Sequence, residues 1–104
     1  MIKVSVIYPR SEGTEFDIDY YCSSHMPMVQ NLLGEACTGI AAEECLAGGA
    51  PGAPAPYHAM GHLYFESLED FQTSFGPNGE QIMADVPNYT NVEPTLVVSE
   101  VRID

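Results

Sequence analysis

Three histidines, at positions 25, 58 and 62, are the side chains of this 104-residue chain that exchange protons most readily near neutral pH. His25 ends the run Tyr20-Tyr21-Cys22-Ser23-Ser24-His25, one helical turn after Tyr21 and two residues before Pro27. A proline inside a helix removes a backbone hydrogen bond and crowds the carbonyl four residues back. The spacing therefore predicts two helical pieces, 17–24 and 27–33, joined at Ser24-His25-Met26. Such breaks leave backbone groups free and aim side chains inward. His25 is thus a candidate general acid/base, or a hydrogen-bond donor to a substrate oxygen. The plain alternative is an imidazole that caps a carbonyl at the kink.

His58 and His62 have the H-x-x-x-H spacing of a helical metal chelate, but the surrounding segment 57–66 reads as a strand. There they share a face ~13 Å apart, at ~3.3 Å per residue. A single zinc with ligands ~2.1 Å away cannot bridge that gap. No metal is expected, and His62 is read as lining a cavity on its own, against the simpler role of a histidine bonded to a neighbour. Tyr20 and Tyr21 point ~100° apart on a helix, so one belongs to the core and the other offers a hydroxyl beside His25 or to a cavity. Tyr89, with Asp85 four residues earlier, falls in a polar extended stretch, 85–94, suited to closing a pocket. The candidate site is then His25 and Tyr21 for chemistry, with Tyr20, His62, Asp85 and Tyr89 for substrate binding.

Other chemistries find no support. There is no G-x-S-x-G, G-x-G-x-x-G, P-loop or paired-carboxylate motif. Glu43 and Glu44 are neighbours on a strand and face opposite ways. No cofactor is expected; a haem held by His25 or His58 is the remaining alternative. Cys22, Cys37 and Cys45 are odd in number and lack C-x-x-C, so they read as small buried hydrophobes. Three basic residues face fifteen acidic ones, a net charge of −12. That excludes nucleic acid, whose binding needs Lys and Arg on phosphates. It also argues against an anionic membrane surface or a polyanionic substrate. A neutral hydrophobic small molecule or a protein partner remains. No apolar run nears the ~18 residues of a membrane span. Met1 to Ile7 alternates like a strand rather than a signal peptide, so a cytoplasmic location is expected.

The elements that must position these residues follow from periodicity. Residues 2–9 alternate as a strand. After the helical pieces come strands at 37–47 and 57–66, separated by the Gly/Pro-rich loop 48–56. Ser67-Leu68-Glu69-Asp70 resembles a capping box and opens a second helix carrying Leu68, Phe71 and Phe75. Gly76-Pro77-Asn78-Gly79 breaks it, a short helix follows at 80–84, and 95–103 alternates as a last strand. Strand-helix-strand-strand-helix-strand over 1–104 is a single α+β domain of ferredoxin-like split βαβ (βαββαβ) type, with a four-stranded antiparallel sheet. Both helices then cover one sheet face. The other is left with apolar residues (Ile7, Ile40 or Ala41, Met60 or Leu63, Val97 or Val98) of the kind that mark interfaces. A homodimer is expected, two sheets closing a dimeric α+β barrel, more stable in salt because each copy repels the other.

The segments Phe16-Asp17-Ile18-Asp19-Tyr20-Tyr21, His25-Met26-Pro27 and Pro87-Asn88-Tyr89-Thr90-Asn91-Val92-Glu93-Pro94 together resemble the EthD family, named for ethyl tert-butyl ether degradation. The resemblance spans nearly the whole chain. It implies a dimeric α+β barrel, with His25 as the His-x-Pro histidine and Tyr20, Tyr21 and Tyr89 as motif tyrosines. It also implies a catabolic setting, namely oxidative ether breakdown beside an oxygenase. The expected function is a small barrel enzyme acting on a hydrophobic, oxygen-containing molecule by acid–base or cofactor-independent oxidative chemistry. The alternative is a non-catalytic protein that carries such a molecule for an oxygenase system.

Overall fold

Alternating residues on the first strand divide the molecule. The computed structural model describes residues 1–104. Strand β1 (Ile2–Pro9) lies at the centre, between β3 (Tyr57–Phe65) and β4 (Thr95–Glu100). Strand β2 (Cys37–Glu44) forms the outer edge beyond β3, giving the order β2-β3-β1-β4 with every pair antiparallel. Ile2, Val4, Val6 and Tyr8 pair with Phe65, Leu63, Gly61 and Ala59, all on the face that the helices cover. This is the predicted ferredoxin-like α+β fold.

The helices that pack on this face are short. Asp17 caps the first, its side chain accepting from the Tyr20 amide 3.1 Å away. Helix α1 (Ile18–Tyr20) runs into a π turn (Tyr21–His25) and then α2 (Met26–Leu33), without a gap. The predicted joint is thus a widened turn inside one continuous helical rod. The Met26 amide reaches the Tyr21 carbonyl, five residues back, and Pro27 sits in the first turn of α2. Widening by one residue accommodates the proline ring without breaking the rod. Gly34, at φ +65°, ends it.

Helix α3 (Leu68–Phe75) starts at Ser67, whose hydroxyl accepts from the Asp70 amide at 3.1 Å. Gly76–Asn78 does not break the chain path: it winds as a 3-10 turn into α4 (Gly79–Ala84). The stretch 85–94 is not extended throughout, because Val86–Asn88 forms another 3-10 turn around Pro87. The second and last strands are shorter than predicted, ending at Glu44 and Glu100.

The core gathers Val4, Tyr8, Tyr21, Val29, Leu33, Leu63, Phe65 and Ile82 between sheet and helices. Of the cysteines only Cys37 is buried. Cys22 is exposed and Cys45 half-buried, contrary to the reading of all three as core. On the helix-free face, Ile7, Ala41, Met60 and Val97 alternate with Lys3, Ser5, Glu43 and His62. Large exposed apolar side chains concentrate on β4, where Leu96, Val97 and Val98 are each 40–45% exposed. No helix is long and apolar enough to cross a membrane.

Candidate active site

The π turn aims His25 into the molecule, where only 3% of its surface remains exposed. Its ring stacks on Tyr21, one turn earlier, at 5.6 Å between centroids. His25 Nδ1 lies 2.8 Å from Asp85 Oδ2. Asp85 follows the end of α4, and its other oxygen, Oδ1, accepts from the Tyr20 hydroxyl at 2.8 Å and from the Asn88 amide at 2.9 Å. A carboxylate can only accept, so Nδ1 carries the proton and Nε2 holds the lone pair.

Nε2 in turn accepts from the Tyr89 hydroxyl, 3.3 Å away. That commits Tyr89 to donate to His25 and to accept from Tyr8, whose hydroxyl is 2.7 Å off. The Tyr21 hydroxyl stands beside that of Tyr8. All donors then point one way: Tyr8 to Tyr89 to His25 to Asp85. Such a chain polarises cooperatively in a low-dielectric interior.

Electrostatics agree with this direction. Burial disfavours the charged imidazole and outweighs the attraction of Asp85, holding His25 below its usual pKa and neutral at pH 7. Burial acts on the Asp85 carboxyl the other way, but hydrogen bonds from Asn88, His25 and Tyr20 prevail, so it ionises below its usual range. Burial also raises the phenols of Tyr8, Tyr21 and Tyr89 far above the usual value, keeping them protonated donors.

Tyr89 is held from the opposite side of the fold. Its carbonyl accepts from the Asp17 amide at 2.7 Å. Phe16 and Thr90 form an isolated antiparallel bridge, and the Thr90 hydroxyl donates to the Glu15 carbonyl at 2.6 Å. The Asn91 amide donates to the Gly13 carbonyl at 3.0 Å. Residues 89–91 are thereby tied to the loop that starts the first helix.

His25, Tyr8 and Tyr21 face a cavity between sheet and helices whose remaining walls are almost wholly apolar, among them Val6, Met26, Leu63, Phe75 and Met83. In this conformation it leaves about 30 Å³ for a guest the size of water, room for one or two waters.

Comparison with known proteins places this arrangement. The EthD domain matches residues 10–93. The chain belongs to the EthD family. A crystallised EthD-like protein from Ralstonia eutropha shares 45% identity at a TM-score of 0.93, over 99% of this chain and 93% of that one. An uncharacterized 11.0 kDa protein from the thcB–thcC intergenic region of Rhodococcus erythropolis is 29% identical over 102 residues, 96% of this chain and 94% of that protein. An EthD family protein of Bacillus halodurans, 17% identical, shares the fold at a TM-score of 0.67, over 97% and 98% of the two chains.

Within this EthD domain the predicted residues separate. His25 and Tyr21 face the cavity together. Asp85 and Tyr20 do not: they hold His25 from its outer side, with Tyr20 half-buried. Tyr89 lies between, a buried link rather than a lid, 3% exposed. His62 is on the opposite sheet face, bonded to Ser5 and Glu43, and does not join the cavity. His58 does not share its surroundings. A β-bulge opposite Tyr8/Pro9 interrupts the alternation there, and His58 stacks on Phe16 and bonds Thr14 at 2.8 Å.

Three participants escaped the sequence reading. Tyr8 passed as an ordinary core residue, although it faces the same side as Val4 and Val6. Asn88 stands beside Tyr89 but carries no periodic signal. Gly61 lies against the Tyr21 hydroxyl where any Cβ would overlap it. A glycine amid Tyr57–Phe65 is the one cue in the sequence, since strand glycines often mark close approach.

Proposed function

We propose that this EthD protein is a small acid–base enzyme acting on a hydrophobic molecule with a carbonyl or hydroxyl oxygen. The observation that carries the reading is the tautomer of His25: Asp85 keeps the proton on Nδ1, leaving a basic Nε2 at the polar end of an apolar cavity. A neutral imidazole with a pKa below its usual value accepts a proton at pH 7 and returns it. Substrate enters by displacing the flexible side chains of Met26 and Met83, and the apolar walls exclude water. Its oxygen takes the place of Tyr89 against Nε2 or meets the Tyr21 hydroxyl, whose proton lies outside the Tyr8–Tyr89–His25 chain and can turn to a developing negative charge. Asp85 steadies the imidazolium that forms. The chain's acidity favours a neutral substrate, and the family's name supports an oxygenated catabolite such as an ether-derived carbonyl compound.

A panel of lactones, quinones and aromatic ketones, incubated with purified protein, tests this. Turnover that disappears in His25→Ala supports the enzyme. Saturable binding without conversion supports the alternative, a carrier, which the nearly all-apolar lining also suits.

Self-association belongs to the same reading. A second copy covering Val97, Ile7 and Met60 removes the apolar side chains of the helix-free face from water, and makes the protein a homodimer.

A further inference from the structure

Of the large apolar side chains that line the His25 cavity, Met83 on α4 and Leu96 on β4 reach the surface, each 40% exposed. The mouth of the cavity therefore lies between α4 and β4, with Pro94 beside it. The polar side chains of the lining, His25, Tyr8 and Tyr21, are all buried.

Beyond this mouth the helix side of β4 continues as an apolar strip. Leu96 pairs with Val6, which lines the cavity, and Val98 pairs with Val4, which is fully buried. Leu96 and Val98 thus stand on the face that the helices cover over β1, yet Val98 is 45% exposed. The helices roof the central strand and leave the edge strand bare. Strand geometry sets Leu96 and Val98 ~6.6 Å apart. Glu100, next on the same side, closes the strip with a charge. The opposite side of the sheet carries Ile7, Met60 and Val97, so a second copy seated on those residues leaves the strip open.

The cavity leaves about 30 Å³, room for one or two waters. A substrate whose oxygen meets His25 must then extend outward through the mouth. No Lys or Arg lines the cavity, and the chain carries a net charge of −12, so nothing there favours an anionic tail.

We infer that the substrate is an elongated neutral molecule, with its oxygen at His25 and an unbranched apolar tail that passes between Met83 and Leu96 and lies on Leu96 and Val98. This rests on the acid–base reading of the His25 cavity and adds the nature of the substrate's far end. Met83 is the gate, since an unbranched thioether with three rotatable bonds swings aside readily. Leu96 and Val98 select chain length. Each methylene laid on the strip leaves water and tightens binding by about twofold to fourfold, the upper figure for complete burial. A methylene that runs on toward Glu100 gains nothing.

The 2-alkanones from 2-butanone to 2-nonanone, titrated into the full-length protein, test this by NMR. Shift changes give the affinity, and the nitrogen-15 shift of His25 Nε2 reports whether the carbonyl sits there. Affinity should climb with each added methylene. The double variant Leu96→Thr/Val98→Thr keeps two strand-favouring residues at exposed positions. It should bind 2-nonanone roughly tenfold more weakly than wild type, from the apolar contact removed, with the loss shrinking toward 2-butanone. Affinity that does not rise with chain length, or a double variant that matches wild type at 2-nonanone, overturns the proposal and leaves the acid–base reading standing. Failure of every ketone to bind, with the His25 shift unmoved, overturns that reading as well. A fall in sedimentation mass in the double variant would make the strip a contact between copies, and likewise overturns the proposal.

Discussion

Gly61 lies directly against the Tyr21 hydroxyl, close enough that a methyl group at residue 61 would overlap the oxygen, with the Met26 sulfur 3.5 Å away on the same side. The position of Tyr21 therefore depends on the absence of a side chain across the sheet. Gly61→Ala should push the ring out of line with Tyr8 and cost about 1–3 kcal/mol, the usual range for overpacking. Urea denaturation measures the loss. A variant as stable as wild type would mean that the ring relocates freely.

Asp85 decides which nitrogen of His25 is basic. Asp85→Asn can turn its amide N–H₂ toward Nδ1 and move the imidazole proton to Nε2, removing the base from the cavity. Turnover should fall by about 10²–10⁴-fold, the size of a general-base contribution, while the fold persists. Nitrogen-15 NMR of the ring reads the tautomer directly. An unchanged tautomer with lost turnover would assign Asp85 some other role.

The pH dependence has a definite sign. His25 is held below its usual value in the folded protein, chiefly by burial, so the unfolded chain binds more protons as pH falls. Stability contributed by the neutral ring is complete above about pH 6.5, the unfolded value, and declines below it. Asp85, also held low, adds a second loss at more acid pH, below about 4. Urea midpoints at pH 7.5 and 5.0 should differ in wild type and differ less in His25→Gln. Turnover should share the acid limb, as His25 protonates.

Self-association should respond to a single charge on β4. Sedimentation should show twice the 11.3 kDa chain mass in wild type. Val97→Asp should move the species to the monomer mass, because it places a carboxylate on the helix-free face that the second copy covers, in an already acidic protein. Salt should strengthen the wild-type dimer by screening like charge. A wild-type monomer at micromolar concentration would remove the dimer.

Sequence periodicity sufficed for most of the frame. The alternation of Ile2, Val4, Val6 and Tyr8 identified both the strand and its buried face. Ser67 marked a helix start through local capping chemistry that needs no distant partner. Pro27 announced an irregular helix, but whether the rod would part or widen depended on packing. With Tyr21 and His25 both buried against the sheet side, widening kept every other turn intact.

His25 was legible as a candidate from its residue type and the nearby proline, and Tyr21 from its spacing one turn away. Their partners were not, because hydrogen bonds between residues 60 and more positions apart, such as His25 with Asp85 or Tyr8 with Tyr89, leave no periodic trace. The same holds for the split between His58 and His62: their spacing is visible, whereas the bulge that separates their surroundings exists only once β1 and β3 are paired. The linear chain determined the element order, the buried face of the first strand and the strongly acidic net charge, since these follow from local propensity, hydrophobic period and composition. Tertiary structure alone decided the direction of the proton chain, the tautomer of His25 and the opposite placement of His62, because each depends on which lone pair meets which donor across strands and turns far apart in sequence.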